Sequence, residues 1–148
     1  AKQVVTYCIR NDIGTLIVGY NTTFQRSSDL GRRMNQVFVG IPFGILRRKL
    51  KYLCEMNGIR YVEQEESYTS MASFWDLDEM PVYGEVGLVP PVFSGRRICR
   101  GLYQDRSGRR INADVNGALN IMRKCNIVSL RALYARGDVD TPVRIRIA

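Results

Sequence analysis

Asn112-Ala113-Asp114-Val115-Asn116-Gly117-Ala118-Leu119-Asn120-Ile121 opens the last strongly periodic segment of this chain. Val115, Ala118, Leu119 and Met122 recur at helical spacing, which predicts a helix from about Ala113 to Lys124 with those side chains inward. Gly117 and Ala118 are small enough to predict close packing along it. Asp114 falls in the first helical turn, where the dipole favours a carboxylate. Taken alone, an aspartate there has a commonplace explanation. Its alternative use is as an oxygen ligand for a hard divalent cation, which needs a second acid nearby.

The segment upstream supplies a basic run and an acid. From Phe93 to Arg110 stand Arg96, Arg97, Arg100, Arg106, Arg109 and Arg110 against the single acid Asp105. Gln104-Asp105-Arg106-Ser107-Gly108 has the residues of a hairpin turn. Residues 67–93 show no clear period and hold three of the five prolines. Asp76, Asp78 and Glu79 cluster there, either as a metal-binding loop or as a solvated acidic loop. Ahead of it Ile59–Gln64 reads as a strand that runs into Glu63-Gln64-Glu65-Glu66.

Further back, a helix is expected from about Pro42, a residue tolerated in a first turn. Its apolar stripe is Phe43, Leu46, Leu50, Leu53 and Cys54, and Asn57-Gly58 is its stop signal. Thr15–Asn21 reads as a buried strand, and residues 1–11 as a helix with Val4, Val5, Cys8 and Ile9 on one side. The strand–helix–strand unit calls for parallel strands and a right-handed crossover. Sites in such sheets form at the C-terminal strand ends, where Asn21 and Glu66 fall. Residues 22–36 read as a polar loop with Arg26, Arg32 and Arg33.

Composition narrows the chemistry. The 148 residues carry 22 Lys plus Arg against 14 acids, and 18 of those cations are arginine. A pI near 9.6 with that bias toward the phosphate-matching guanidinium fits a nucleic-acid partner. No histidine is present and no two of the four cysteines form a C-x-x-C pair, which argues against zinc and removes imidazole as a base. Cys8 and Cys54 sit at apolar helical positions, and free thiols fit a reducing, cytoplasmic setting. No apolar run approaches the roughly 20 residues of a membrane span.

Glu66-Ser67-Tyr68-Thr69-Ser70, then a long loop, then Phe93-Ser94-Gly95-Arg96-Arg97, then the Asn112–Ile121 run, resemble the C-terminal half of the OrfB/TnpB family. These insertion-sequence proteins are similar to compact ancestors of type V CRISPR effector nucleases. Thr15–Asn21, Gln36–Phe43, Leu50-Lys51-Tyr52 and Asn57-Gly58-Ile59 follow in the matching order, so the resemblance covers roughly residues 1–125. It implies an α/β, RNase H-like RuvC nuclease that cuts DNA under RNA guidance, with Mg²⁺ or Mn²⁺. Asp114 matches the third RuvC carboxylate. Glu66, with Glu65 beside it as the alternative, stands where some family branches carry the second. Two metal ions held ~3.5–4 Å apart by carboxylates can activate water and steady the leaving oxygen, with no histidine needed. The six arginines from Arg96 to Arg110 would hold nucleic-acid phosphates.

Two departures qualify these expectations. The zinc-ribbon cysteines common in the family are missing, with Ser73 and Phe74 near the first pair and Cys99 alone, so the loop must be held without zinc. The strand of the first RuvC carboxylate would precede residue 1. The expected arrangement is therefore a nuclease domain over 1–126, incomplete at its N-terminal strands, with 67–111 as insertion loop and hairpin and 127–148 as a tail. A homodimer or an N-terminal fragment would complete the sheet. The competing reading is a nuclease-dead nucleic-acid-binding protein, or an inactive fragment.

Overall fold

The computed structural model describes residues 1–21, 42–82, 91–139 and 142. The expected polar loop with Arg26, Arg32 and Arg33 lies outside the described residues. The chain divides into two compact units, Ala1–Gln64 and Glu65–Ala148.

In the first unit, α1 (Lys2–Arg10) leads to β1 (Thr15–Tyr20), and α2 (Phe43–Met56) leads to β2 (Arg60–Glu65). β1 and β2 pair in a two-stranded sheet among the described residues. The Arg60 N–H donates to the Gly14 carbonyl at 2.9 Å, so the two strands start side by side, as parallel strands do. Asn57 ends α2 and Gly58 takes a positive φ of 68°, a conformation that suits glycine. Val5, Cys8, Leu50, Cys54 and Ile59 form the core, with Leu16, Val18 and Leu53 packed against it. The helical stripes are narrower than their periodicity implies. Val4 and Ile9 on α1 and Leu46 on α2 are exposed, because each helix buries only the residues one turn apart that meet the other helix and the sheet.

The second unit is built on one helix. α3 (Ala113–Cys125) follows β5 (Arg110–Asn112) without a break, and β3 (Arg96–Cys99), β4 (Leu102–Gln104) and β5 make an antiparallel sheet in that order. The Gln104–Gly108 run turns between β4 and β5 as its residues predict. Asn112 caps α3, its Oδ1 accepting from Asp114 N–H at 2.9 Å and Val115 N–H at 3.1 Å. Asn126 closes the helix in the left-handed conformation. α4 (Arg131–Arg136), in the tail where sequence gave no pattern, ends on Gly137. Phe74, Tyr103, Ile111, Ala113 and Leu119 are the buried core, with Trp75, Val115, Met122 and Tyr134 around them.

Of the expected inward stripe of α3, Val115, Leu119 and Met122 pack in or against the core and Ala118 does not. Ala118 is exposed, and a Cβ on Gly117 would meet nothing within 4 Å, so neither residue marks a close packing contact. Asn116 and Asn120, one turn apart, are instead fully buried. Asn116 Nδ2 donates to the Ala72 carbonyl at 2.8 Å, and its Oδ1 accepts from Phe74 N–H at 3.1 Å. Asn120 Nδ2 donates to the carbonyls of Thr69 at 2.9 Å and Ala72 at 2.8 Å. The turn segment around residues 67–78 has no helix or strand ladder, and these amides satisfy peptide groups that would otherwise be buried unpaired.

Removing those donors has a measurable cost. Asn120→Ala leaves the Thr69 carbonyl without its amide partner and is expected to lower unfolding free energy by about 1–3 kcal/mol. Urea denaturation of the variant beside wild type checks it, and an unchanged midpoint would refute the clasp.

Candidate nucleic-acid and metal site

Asp114 stands in the first turn of α3 with its side chain in solvent. Its backbone N–H is taken by the Asn112 cap, and its carboxylate has no hydrogen-bond or ion-pair partner among the described residues. Glu66 follows the end of β2 and is half-buried. Burial, with the adjacent Glu65 charge second, raises its carboxyl above the ordinary glutamate range. Glu65, the alternative, is already committed: Oε1 accepts from Ser67 N–H at 2.6 Å and Oε2 from Lys124 Nζ at 2.5 Å. Burial pushes the Glu65 carboxyl up, but the bonds from Lys124 and Ser67 outweigh it and hold it below the usual value.

The placement of Glu66 runs through α3. The Glu66 carbonyl accepts from Thr69 N–H at 3.2 Å and Thr69 Oγ at 2.8 Å, while the Thr69 carbonyl is held by Asn120. Asn120 lies six residues, or about 9 Å of helix rise, beyond Asp114. Lys124 Nζ spreads its three protons over Glu65, the Ser67 carbonyl and the Pro81 carbonyl, which ties the segment a further turn along. Thus the helix that carries Asp114 also anchors the turn that carries Glu66. Among the described residues no group of three or more acidic or thiol side chains gathers as a metal site.

Of the acids of the expected metal-binding or solvated loop, Glu79 is exposed, while Asp76 and Asp78 cap backbone groups. The Asp78 carboxylate accepts from Ser73 N–H at 2.8 Å, Ser94 N–H at 2.9 Å and Ser94 Oγ at 2.5 Å. Asp76 accepts from Arg106 N–H at 2.9 Å, and Asp105 from Arg109 N–H at 2.7 Å. The Tyr103 hydroxyl, pushed up to about 12 by burial and then by Asp78, Asp76 and Asp105, stays protonated and donates to the Met71 carbonyl at 2.8 Å. Gly95 lets that ring pass: a Cβ there would lie 2.6 Å from the Tyr103 ring and from the Gln104 carbonyl. The Phe93-Ser94-Gly95 motif therefore joins the loop to the hairpin.

The six arginines divide into two groups. Arg109 lies 4.6 Å over the Trp75 ring, donates to the Gly137 carbonyl at 3.3 Å and sits 3.8 Å from Asp105. Arg106 donates to Ser94 Oγ at 2.8 Å. Arg96, Arg97, Arg100 and Arg110 are exposed and have no partner among the described residues. Register aligns Arg96, Gln104 and Arg110 across the three strands, on the face opposite buried Tyr103 and Ile111. Sequence reasoning did not find Asn116, Asn120 or Lys124. Polar residues at i, i+4 and i+8, a second stripe beside the apolar one, were the available signal.

The described residues form a mixed α/β structure with small sheets, one of them edged by exposed arginines. A model of the Cas12f1-like, TNB domain family matches residues 43–121, just over half of the chain, and the chain belongs to that family. The family is of the TnpB/Cas12f type, which bears out the resemblance to OrfB/TnpB proteins. No curated protein matches the chain. No helix among the described residues is long and apolar enough to cross a membrane.

The aspartate caps set a pH dependence. Burial raises Asp78, but its bonds from Ser94 and Ser73 and the Arg123 charge outweigh this and lower its carboxyl net. A lowered folded value contributes stability that is present above the unfolded value of about 3.9 and lost as pH falls through the folded one. The thermal midpoint is therefore expected to fall below about pH 4, and Asp78→Asn to lower it near neutrality while flattening that acid slope. Parallel acid slopes in the two proteins would remove Asp78 from this account.

Proposed function

We propose that this chain is the C-terminal part of a TnpB-like RuvC endonuclease. It cuts DNA phosphodiesters with Mg²⁺ or Mn²⁺ under RNA guidance, in concert with the N-terminal strands of the domain. The family match carries this reading, because its span of 43–121 includes both Glu66 and Asp114. Their chemistry suits the metal: Mg²⁺ is held by one or two carboxylates and completes its shell with water and substrate phosphate. When bound, the metal would supply an activated water and charge neutralisation at the phosphate. The chain's own part is to offer the Glu66 and Asp114 oxygens and to hold the strand on Arg96, Arg97, Arg100 and Arg110. Within this reading residues 1–126 form the partial nuclease domain, with an RNase H-like order of elements, and a second copy or an N-terminal fragment completes it.

The test is a cleavage assay with the chain and the N-terminal segment supplied together, guide RNA and Mn²⁺ present. Cutting that disappears in Asp114→Ala supports the reading, and cutting that survives it sinks the assignment of Asp114. The second reading is a nucleic-acid-binding protein that does not cut, in which the exposed arginines hold phosphates and Glu66 and Asp114 hold no metal. Retained nucleic-acid binding with no cutting by the wild type would establish it.

Phosphate contacts release counterions. Arg96→Ala and Arg100→Ala are each expected to reduce the slope of log affinity against log salt by about 1, and Arg106→Ala by less, because Ser94 already holds its guanidinium. Binding of single-stranded DNA at stepped salt concentrations reads this out. Equal slopes in all three variants would place the phosphates elsewhere.

A further inference from the structure

One cavity of about 390 Å³ lies along β5, beside the first turn of α3, with Trp75, Arg110, Asn112, Val115, Asp138 and Val139 in its wall. That size is within the ~300–1,000 Å³ of small-ligand pockets. Its chemistry is divided. Trp75, Val115 and Val139 give an apolar side, with the Trp75 ring fixed in place by Arg109 on its face and by Phe74 and Tyr134 at 5.2 and 6.0 Å. Arg110 gives a guanidinium with no partner among the described residues.

β5 adds a hydrogen-bonding edge. The Asp105 N–H donates to the Arg109 carbonyl and the Ala113 N–H to the Gly101 carbonyl. In an antiparallel ladder these groups alternate, so the peptide of Ile111 also turns toward β4. The Arg110 N–H and C=O and the Asn112 N–H therefore face the open edge, where the sheet ends. Asn112 Oδ1 is used by the helix cap, which leaves its Nδ2 as a further donor. The Asp138 carboxylate, whose Oδ1 takes Val139 N–H at 2.7 Å, retains a second oxygen as acceptor.

We propose that this cavity takes one nucleotide, its base against Trp75 and Val115, its base edge on the open peptide groups of β5, and its phosphate on Arg110. A flat ring with donors and acceptors on its rim and an anion attached matches this wall. An aliphatic ligand would leave the β5 peptide groups unpaired, and a free anion would leave Trp75 idle. Asn112 and Val115, which flank Asp114 in the chain, both line the cavity. The inference rests on the nucleic-acid reading above and deepens it, since it assigns a nucleotide-sized pocket at the Arg110 end of the exposed row of arginines.

Trp75 is the only tryptophan in the chain, so its emission reports on this pocket alone. The full chain is titrated at low salt with a labelled single-stranded oligonucleotide, following Trp75 emission and label anisotropy together, and separately with a nucleoside monophosphate. The expected result is quenching of Trp75 at the same midpoint as the anisotropy rise. Arg110→Ala is expected to move both midpoints by roughly tenfold, the loss of one charge-assisted hydrogen bond. Quenching by the monophosphate as well identifies a site for free nucleotides, and quenching by the oligonucleotide alone identifies a unit of a strand; both support the pocket. An anisotropy rise with Trp75 emission unchanged overturns the pocket and leaves the nucleic-acid reading standing. No anisotropy rise overturns both.

Discussion

From Ser67 to Asp78 the chain travels through turns whose peptide groups have no ladder to join, and buried amides of α3 meet them. Asn116 and Asn120 offer carboxamide groups, which can both give and take hydrogen bonds, to carbonyls and an N–H at residues 69–74. Lys124 continues the same stripe toward Ser67 and Pro81. With these bonds made, Phe74 can bury between α3 and Tyr134, whose ring stacks at 4.8 Å. Without them the turn segment would pay for desolvated peptide groups and would have no fixed path over the helix. The Glu66 turn, the Asp78 caps and the aromatic cluster all follow from that one attachment.

Much of the scaffold was legible. Periodicity placed α1, β1, α2, β2 and α3 to within a residue or two, because each is an amphipathic or buried segment bounded by Gly14, Pro42, Asn57-Gly58 or Asn112. The hairpin turn was legible from Asp105 and Gly108 for the same local reason. The second buried face of α3, that of Asn116 and Asn120, was not. Periodicity weighs Ala118 as apolar and Asn116 as polar, and here the asparagines go inside because the partner is bare backbone rather than an apolar sheet. The short α4 escaped detection since six residues give too little pattern for a period to emerge.

The candidate site was legible in parts. Motif order pointed to Asp114 and Glu66, and both fall within the matched span. Glu65 differs from Glu66 through its Lys124 contact, which joins residues 59 positions apart and leaves no trace in spacing. The six arginines could be listed from sequence, yet they are not equivalent. Arg109 serves the Trp75 face and the Gly137 carbonyl, while Arg96 and Arg110 flank Gln104 on the open face of the sheet. Only strand register distinguishes these fates.

The aspartate caps carry a consequence of another kind. A cysteine-bound zinc ties a loop only after the metal has been delivered and while the thiols stay reduced. The bonds from Ser73, Ser94, Arg106 and Arg109 to Asp78, Asp76 and Asp105 draw on the polypeptide alone. Whatever else this region binds, these ties are in place as soon as the chain leaves the ribosome and folds, and neither metal starvation nor oxidative stress removes them.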